Sequence, residues 1–312
     1  MKAAQISEYG GEDALKIVED TKKPGAGKDQ VLVMVYSTSV NPFDWKVRDG
    51  SYQQYIPIKF PATLGGDVAG IVSEIGEGVT GFEVGQEVYG LANAVSGQGS
   101  FAEYTPVNIG QLALKPQELD FNTAAAVPLV SISAYQALID HINLQKGQKI
   151  LIHGGAGGIG AGAIQIAKNI GAYVATTVSP KDLDYVTGLG ADEAIDYKNQ
   201  DFTRLIKNYD AVFDTVGGET TSQSYQVLKS GAPLVSMVEQ PNEELAKKYD
   251  VTFTYQQTGV TTDRLNKISE LIKEKKLTIN IDKVFQFDEI AKALEYLKTG
   301  HPRGKVVVQV KS

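Results

Sequence analysis

Apolar positions in the first 120 residues come in short β-branched runs, QVLVMVYSTSV, DVAGIVSEIG, QEVYG and SFAEYTPV, each cut by Gly, Pro or Asn. Runs of this length between turn formers predict strands, so this part of the chain reads as mostly β. From about residue 149 the pattern changes. KILIH predicts a strand and IGAGAIQIAKNIG a helix with apolar residues at helical spacing. YVATTV, a helical KDLDYVTGLG, EAIDY, a helical stretch, DAVFDTVG, a further helix and PLVSM continue the alternation, with VTFTY as a last strand. Strict alternation of strand and helix implies a parallel sheet covered on both faces.

That order is Rossmann-type, and it gives meaning to one glycine pattern while removing it from another. Gly76-Glu77-Gly78-Val79-Thr80-Gly81 satisfies G-x-G-x-x-G, but FEVGQEVYG follows it, another strand run with Gly85 and Gly90 breaking it, so the match reads as a turn. Gly155-Ala156-Gly157-Gly158-Ile159-Gly160 has the same letters, leaves a strand and opens a helix. That geometry aims unpaired backbone N–H groups and the positive helix end at a pyrophosphate. Gly155 is expected to make the tight turn, Gly157 to let the backbone approach phosphate, and Gly160 to let the helix press on the sheet.

Composition narrows the partners. The chain has 312 residues, which favours two cores, and its net charge of −7 opposes non-specific attraction to nucleic acid or anionic membrane. There is no cysteine, so disulfides, thiol nucleophiles and thiolate metal sites are excluded, and a reducing cytoplasm is compatible. The start MKAAQISEYGGEDALKIVED carries acids where a signal peptide would be apolar, and reads as a first strand and turn. Two uncharged stretches, 121–139 and 150–167, are interrupted by Asn, Pro and Gly and read as buried segments, not membrane spans.

The dinucleotide is read from the end of the second strand of the alternating part. An NAD site places an Asp or Glu there, but YVATTVSPKD offers Thr177, Val178 and Ser179 before Lys181. Ser179 can donate a hydrogen bond and Lys181 a charge-assisted one to a 2′-phosphate, worth roughly 1.5 to 3 kcal/mol if partly desolvated. The expectation is NADPH. The alternative is that Lys181 is a solvated first-turn residue and Asp182 binds the ribose.

Several motifs in order, GGDVAGIVSEIGEGVTGFEVGQEVYG, VNPFDWKVRDG, AAAVPLVSISAYQALI, GGAGGIG, AIDY and DTVGG, resemble the zinc-independent quinone oxidoreductase and enone reductase branch of the medium-chain dehydrogenase/reductases. The resemblance covers nearly the whole chain. It implies an α/β fold with a GroES-like β-rich substrate domain, residues 1–122 and 260–312, a doubly wound Rossmann domain for the cofactor, residues 123–259, and a cleft binding NADPH. Where zinc alcohol dehydrogenases carry Gly-His-Glu this chain has Gly65-Gly66-Asp67, and only His141, His153 and His301 remain as imidazoles, so no zinc is expected. Gln86 replaces the usual Asp of a family turn and reads as structural.

The resemblance implies that Asn41 faces nicotinamide or substrate and that Tyr52 lines the substrate pocket. As residues alone, Asn41 reads as an Asn-Pro turn initiator and Tyr52 as a surface aromatic. Lys46 is a candidate for stabilising the charge that hydride addition builds on an enone oxygen, with surface Lys as the alternative. Ser133 and Tyr135 fall where the family contacts the nicotinamide side, on a helix starting near Ser131. Tyr197 is read as stacking near the adenine or its phosphate, with strand-end packing as the alternative. Val216 and Gly217 follow a strand's C-terminal end, where such folds bind ligands. Gly304 and Lys305 are placed near the cofactor by resemblance and as a basic turn by chemistry. His153 reads as a strand-end residue, neither acid nor base. The activity implied is hydride transfer from NADPH to a quinone or an α,β-unsaturated ketone or aldehyde. The rival is an NADPH-binding sensor, structural or nucleic-acid-binding protein on the same scaffold. VTFTY is the expected edge for a homodimer.

Overall fold

The computed structural model describes residues 1–311. The strands begin with β1 (Ala3–Ile6), β2 (Leu15–Val18), β3 (Gln30–Val40), β4 (Ala62–Thr63), β5 (Asp67–Ile75), β6 (Glu87–Leu91), β7 (Tyr104–Asn108) and β8 (Leu112–Leu114). Next come β9 (Lys149–His153), β10 (Tyr173–Val178), β11 (Glu193–Asp196), β12 (Ala211–Asp214), β13 (Pro233–Ser236) and β14 (Thr252–Tyr255). The last two are β15 (Ile281–Gln286) and β16 (Lys305–Gln309). The chain forms two compact units, one from Met1–Leu129, Val260–Lys273 and Ile279 onward, the other from Val130–Gly259 with Glu274–Thr278.

In the first unit β3 is the hub of a sheet ordered β15-β16-β3-β5-β6-β8, with β7 also paired to β3. A strand with partners along both edges and cover on both faces needs no polar side, so QVLVMVYSTSV reads as a nearly continuous buried run. Val31, Val33 and Val35 pack with Val68, Val72, Val88 and Val107 in one core. A second core, around Phe101, Phe285, Phe287 and Leu294, lies under the helix Ile290–Gly300. Gly90 does not break its strand as the sequence predicts. It lies inside β6, where a Cβ would come 2.1 Å from the Gln111 carbonyl oxygen, so its small size admits the neighbouring β8 backbone. Gly76–Gly81 is a turn, with Gly78 and Gly81 left-handed.

The second unit holds a six-stranded sheet, β11-β10-β9-β12-β13-β14, parallel throughout. Ile150, Leu151 and Ile152 of β9 are fully buried, as a central strand covered on both faces requires. The chain winds outward through β10 and β11, then returns to lay β12 against the other side of β9. The reversal makes the C-terminal end of β9 a topological switch point, where such sheets bind ligands. Some expected helices are shorter, Phe202–Leu205 being a single turn, and the helix expected near Ser131 starts at Pro128. A first-turn proline has no N–H to leave unpaired, which favours that start. Among the described residues no helix is long and apolar enough to cross a membrane.

Candidate active site

The loop after β9 is shaped by contacts its glycines alone permit. Gly154, not Gly155, takes the left-handed turn, at φ 75°. Gly155 is instead the residue pressed on the sheet, since a Cβ there would lie 2.1 Å from Thr176 Oγ1. A Cβ at Gly160 would lie 2.3 Å from the Gly154 carbonyl oxygen, so Gly160 closes the helix's first turn onto the loop. The turn and sheet roles thus fall one or more residues from where the letter pattern puts them. Gly157 differs: the nearest atom to its notional Cβ is 3.5 Å away, so no protein contact demands a glycine there.

The helix Gly158–Ile170 begins beside that open position. Its first i→i−4 bond runs from Ala161 N to Gly157 O at 2.9 Å, which leaves the N–H groups of Gly158, Ile159 and Gly160 without intrahelical acceptors. An open approach at Gly157 and unpaired first-turn donors together fit a pyrophosphate.

Under the loop sits a neutral histidine. The Ser224 hydroxyl donates to the Thr220 carbonyl at 2.7 Å, so it accepts from His153 Nε2, 2.9 Å away, and the Thr177 hydroxyl then donates to Nδ1 at 2.9 Å. Burial lowers the His153 pKa to about 4, against the opposing pull of the Asp214 charge. It is a strut between β9, β10 and the helix Glu219–Ser224.

At the end of β10, Ser179 donates its hydroxyl to Asp182 Oδ2 at 2.6 Å, and Asp182 is buried while Lys181 is exposed. Tyr197 N donates to Val178 O at 3.2 Å, bringing a ring 56% exposed beside that strand end. After β12, Asp214 Oδ1 accepts from the backbone N–H groups of Val216 and Gly217 at 2.9 and 3.1 Å, leaving the Val216 side chain exposed. Ser133 is buried, with its hydroxyl 2.6 Å from Thr258 Oγ1, and Tyr135, half-buried, ends the helix Pro128–Tyr135. The loop glycines, Ser179 and Tyr197 therefore share the C-terminal ends of adjacent strands.

The first unit contains a second polar cluster, built by register. Val306 of β16 pairs with Val40 of β3, which sets Lys305 beside Asn41, and the β3–β5 pairing ends at Thr38 and Val68, which sets Asp67 alongside. The Lys305 ammonium donates to Asn41 Oδ1 at 2.5 Å, and to Asp67 Oδ2 and Val40 O at 3.2 Å each. Asp67 Oδ2 also accepts from Asn41 Nδ2 at 2.8 Å and from the Ser39 hydroxyl at 2.6 Å, while Oδ1 accepts from Leu129 N at 2.9 Å. All three main partners are buried, with Asn41 and Lys305 3% exposed and Asp67 0%. The Asn41 amide thus lies between an ammonium and a carboxylate. Each such hydrogen bond contributes about 1.5 to 3 kcal/mol, and turning the amide over would oppose both charges.

Asn41 also caps the helix Pro42–Arg48, its backbone N–H donating to Asp44 Oδ2 at 2.7 Å. Burial and the nearby Asp67 charge push the Asp44 pKa up to about 7, against the Asn41 N–H and the Lys305 charge. Lys46 is not part of this cluster; it is half-exposed with its ammonium 5.6 Å from the Trp45 ring centre. Tyr52 is half-buried against Phe43, with ring centres 5.5 Å apart. Gly304 makes a left-handed turn, where a Cβ would lie 2.2 Å from the Asn280 carbonyl oxygen. The sequence reading missed Gly154, Ser39, Asp44 and the anchoring place of Asp67. For Asp44 a signal existed, because Asn followed three residues later by an acid is a capping pattern.

Two family models match the chain, the alcohol dehydrogenase GroES-like domain over residues 27–117 and the zinc-binding dehydrogenase over residues 189–308. A 2-methylene-furan-3-one reductase of Solanum lycopersicum is 37% identical over 316 residues, covering 99% of this chain and 79% of that protein. An NADPH-dependent alkenal/one oxidoreductase, chloroplastic, of Arabidopsis thaliana is 37% identical with the same coverage. Among solved structures, the quinone oxidoreductase of Coxiella burnetii superposes with a TM-score of 0.93 at 35% identity, covering 100% of this chain and 99% of that one. Although the second family description names zinc, among the described residues no group of three or more His, Cys, Asp or Glu is placed to hold a metal.

Proposed function

The chain belongs to the quinone oxidoreductase and enone reductase branch of the medium-chain dehydrogenase/reductases, and from that premise we propose the following reading: it is an NADPH-dependent reductase of conjugated acceptors, quinones or α,β-unsaturated ketones and aldehydes. The observation that carries it is the loop 154–160, where Gly154, Gly155 and Gly160 each meet a close protein contact and Gly157 is left open beside unpaired N–H groups. NADPH, when bound, supplies the hydride.

The chain's own residues hold and orient. The loop N–H groups would receive the diphosphate, and Ser179, Lys181 and Tyr197 flank the strand end where a 2′-phosphate and adenine would lie. Asp182 is buried and accepts from Ser179, which disfavours the alternative in which it binds a ribose hydroxyl. Ser133, Val216 and Gly217 are proposed on the nicotinamide side, and Asn41 and Tyr52 on the substrate side. A conjugated acceptor delocalises the arriving charge, so a positioned amide donor is enough to steady the oxygen and solvent can return the proton. Lys46, half-exposed and over Trp45, is retained as a second candidate for that oxygen.

Loss of NADPH absorbance with a panel of quinones, enones and enals tests the reading, and the ratio of catalytic efficiencies divides quinone from enone preference. No turnover with any of them would favour a sensor or structural role. Tighter binding of NADH than of NADPH would overturn the cofactor assignment.

A homodimer through β14 and a cytoplasmic location complete the proposal. Thr252 N and Gln256 N bond back toward β13, so by alternation the N–H groups of Phe253 and Tyr255 point outward from the sheet edge. Tyr255→Pro removes one outward donor and is expected to yield monomers in light scattering; a wild type already monomeric at micromolar concentration would end the idea. Cell fractionation of the tagged protein tests the location.

A further inference from the structure

We infer that Lys305 is a positioning residue for Asn41 and does not itself bind the dinucleotide: its ammonium, with Asp67, holds the Asn41 amide in one orientation and leaves a single Nδ2 hydrogen for the reacting molecules. This rests on the reading of the chain as an NADPH-dependent reductase.

A lysine ammonium has three N–H groups, and here three acceptors of the same unit take them, Asn41 Oδ1, Asp67 Oδ2 and Val40 O. With all three N–H groups taken, no donor remains for a phosphate or an incoming carbonyl. Asn41 differs. Its oxygen faces the ammonium, one Nδ2 hydrogen goes to Asp67, and the other has no protein acceptor among the described residues.

Two consequences follow for that hydrogen. An inverted amide would set NH2 against the ammonium and oxygen against the carboxylate, so the donor's direction is fixed by charge and not by packing alone. A cation on the amide oxygen also draws electron density from the nitrogen, making the remaining N–H a stronger donor. Such a donor stabilises an acceptor oxygen that gains negative charge as hydride arrives. The cluster thus gives a carbonyl a polarised donor from residues that themselves stay out of reach. Ser39 completes it by giving Asp67 Oδ2 a third partner, which keeps the carboxylate from turning.

The test compares Lys305→Met, Asn41→Ala and the double variant with wild type, using NADPH and an enone. Lys305→Met is expected to lower kcat at saturating NADPH about ten- to a hundredfold, the scale of a misplaced reacting group. The Kd for NADPH should change by less than about twofold, and in an Asn41→Ala background Lys305→Met should cost nothing further. A Kd that weakens in step with a retained kcat, or losses that multiply in the double variant, would overturn the proposal. Lys305→Met strands the Asp67 charge and can prevent folding, so Lys305→Met/Asp67→Asn is measured beside it.

A second readout needs neither cofactor nor turnover. In NMR spectra of isotope-labelled, cofactor-free protein, the Asn41 side-chain amide should give two well-separated proton resonances in wild type, and these should converge in Lys305→Met/Asp67→Asn. Unchanged resonances would overturn the proposal whatever the substrate panel shows. A responsive amide in a protein that reduces no acceptor would defeat the enzymatic reading and leave the positioning role supported.

Discussion

At the end of β3 the first unit buries two carboxylates and an ammonium side by side, whereas at the end of β9 the second unit buries a histidine that carries no charge. The charged cluster fixes the direction of one side chain, Asn41, because opposite charges grip both poles of its amide. The neutral cluster has no side chain to aim. It braces a loop of nearly bare backbone whose task is to leave room. Orientation calls for charge and has a desolvation cost; an open surface calls for small residues and hydroxyl–imidazole bonds that add no charge.

The largest effect is expected from Asp67→Ala, which removes the carboxylate that accepts from the buried Lys305 ammonium. It should cost about 3 to 5 kcal/mol in denaturant unfolding, more than any neutral substitution under the loop. The next effect is a few kcal/mol and has opposite signs in the two clusters. Asp44, raised to about 7, gives stability that is fully present below about 4, its ordinary range, and is lost as pH rises toward 7. His153, lowered to about 4, gives stability present above its ordinary 6.5 and lost as pH falls toward 4. Unfolding free energies measured from pH 4 to 7 should therefore gain an upward slope in Asp44→Asn relative to wild type and a downward slope in His153→Gln. Equal slopes would refute the burial argument for both.

Thr177→Val removes the hydroxyl that bonds His153 Nδ1 and should cost about 1 to 3 kcal/mol, the price of one unpaired buried nitrogen. The smallest change separates folding from binding. Gly157→Ala meets nothing nearer than 3.5 Å, so the melting temperature should hold while the Kd for NADPH rises about tenfold, near 1.4 kcal/mol. Gly160→Ala, facing a carbonyl oxygen at 2.3 Å, should lower both stability and affinity. If Gly157→Ala instead destabilised the cofactor-free protein, the open approach would be an error.

The strands and the glycine loop were legible because both are local. β-Branched runs such as QVLVMV declare strands, and a strand before and a helix after GAGGIG separate it from GEGVTG. Letters do not give dihedral angles, so the pattern points to Gly155 for a turn that Gly154 carries. The helical stretch after β11 shrank to Phe202–Leu205, since one turn buries Phe202 and the chain is then drawn straight on to β12. Asn41 and Lys305 stood out one at a time, but the contacts that join them with Asp67 were not legible. Lys305 stands between Gly304 and a run of valines and looks like a basic turn until β16 pairs with β3. Its partner Asp67 is 238 positions away, and no local pattern joins residues so far apart.

That distance also sets an order on synthesis. A ribosome delivers Asp67 early, and its partner cation Lys305 arrives only after the entire parallel sheet has been translated. The second unit's sheet can close while the nascent chain is still growing, but the GroES-like half cannot seal its interior until β16 docks. β16 is therefore the latch of a half whose other central strands are made long before it.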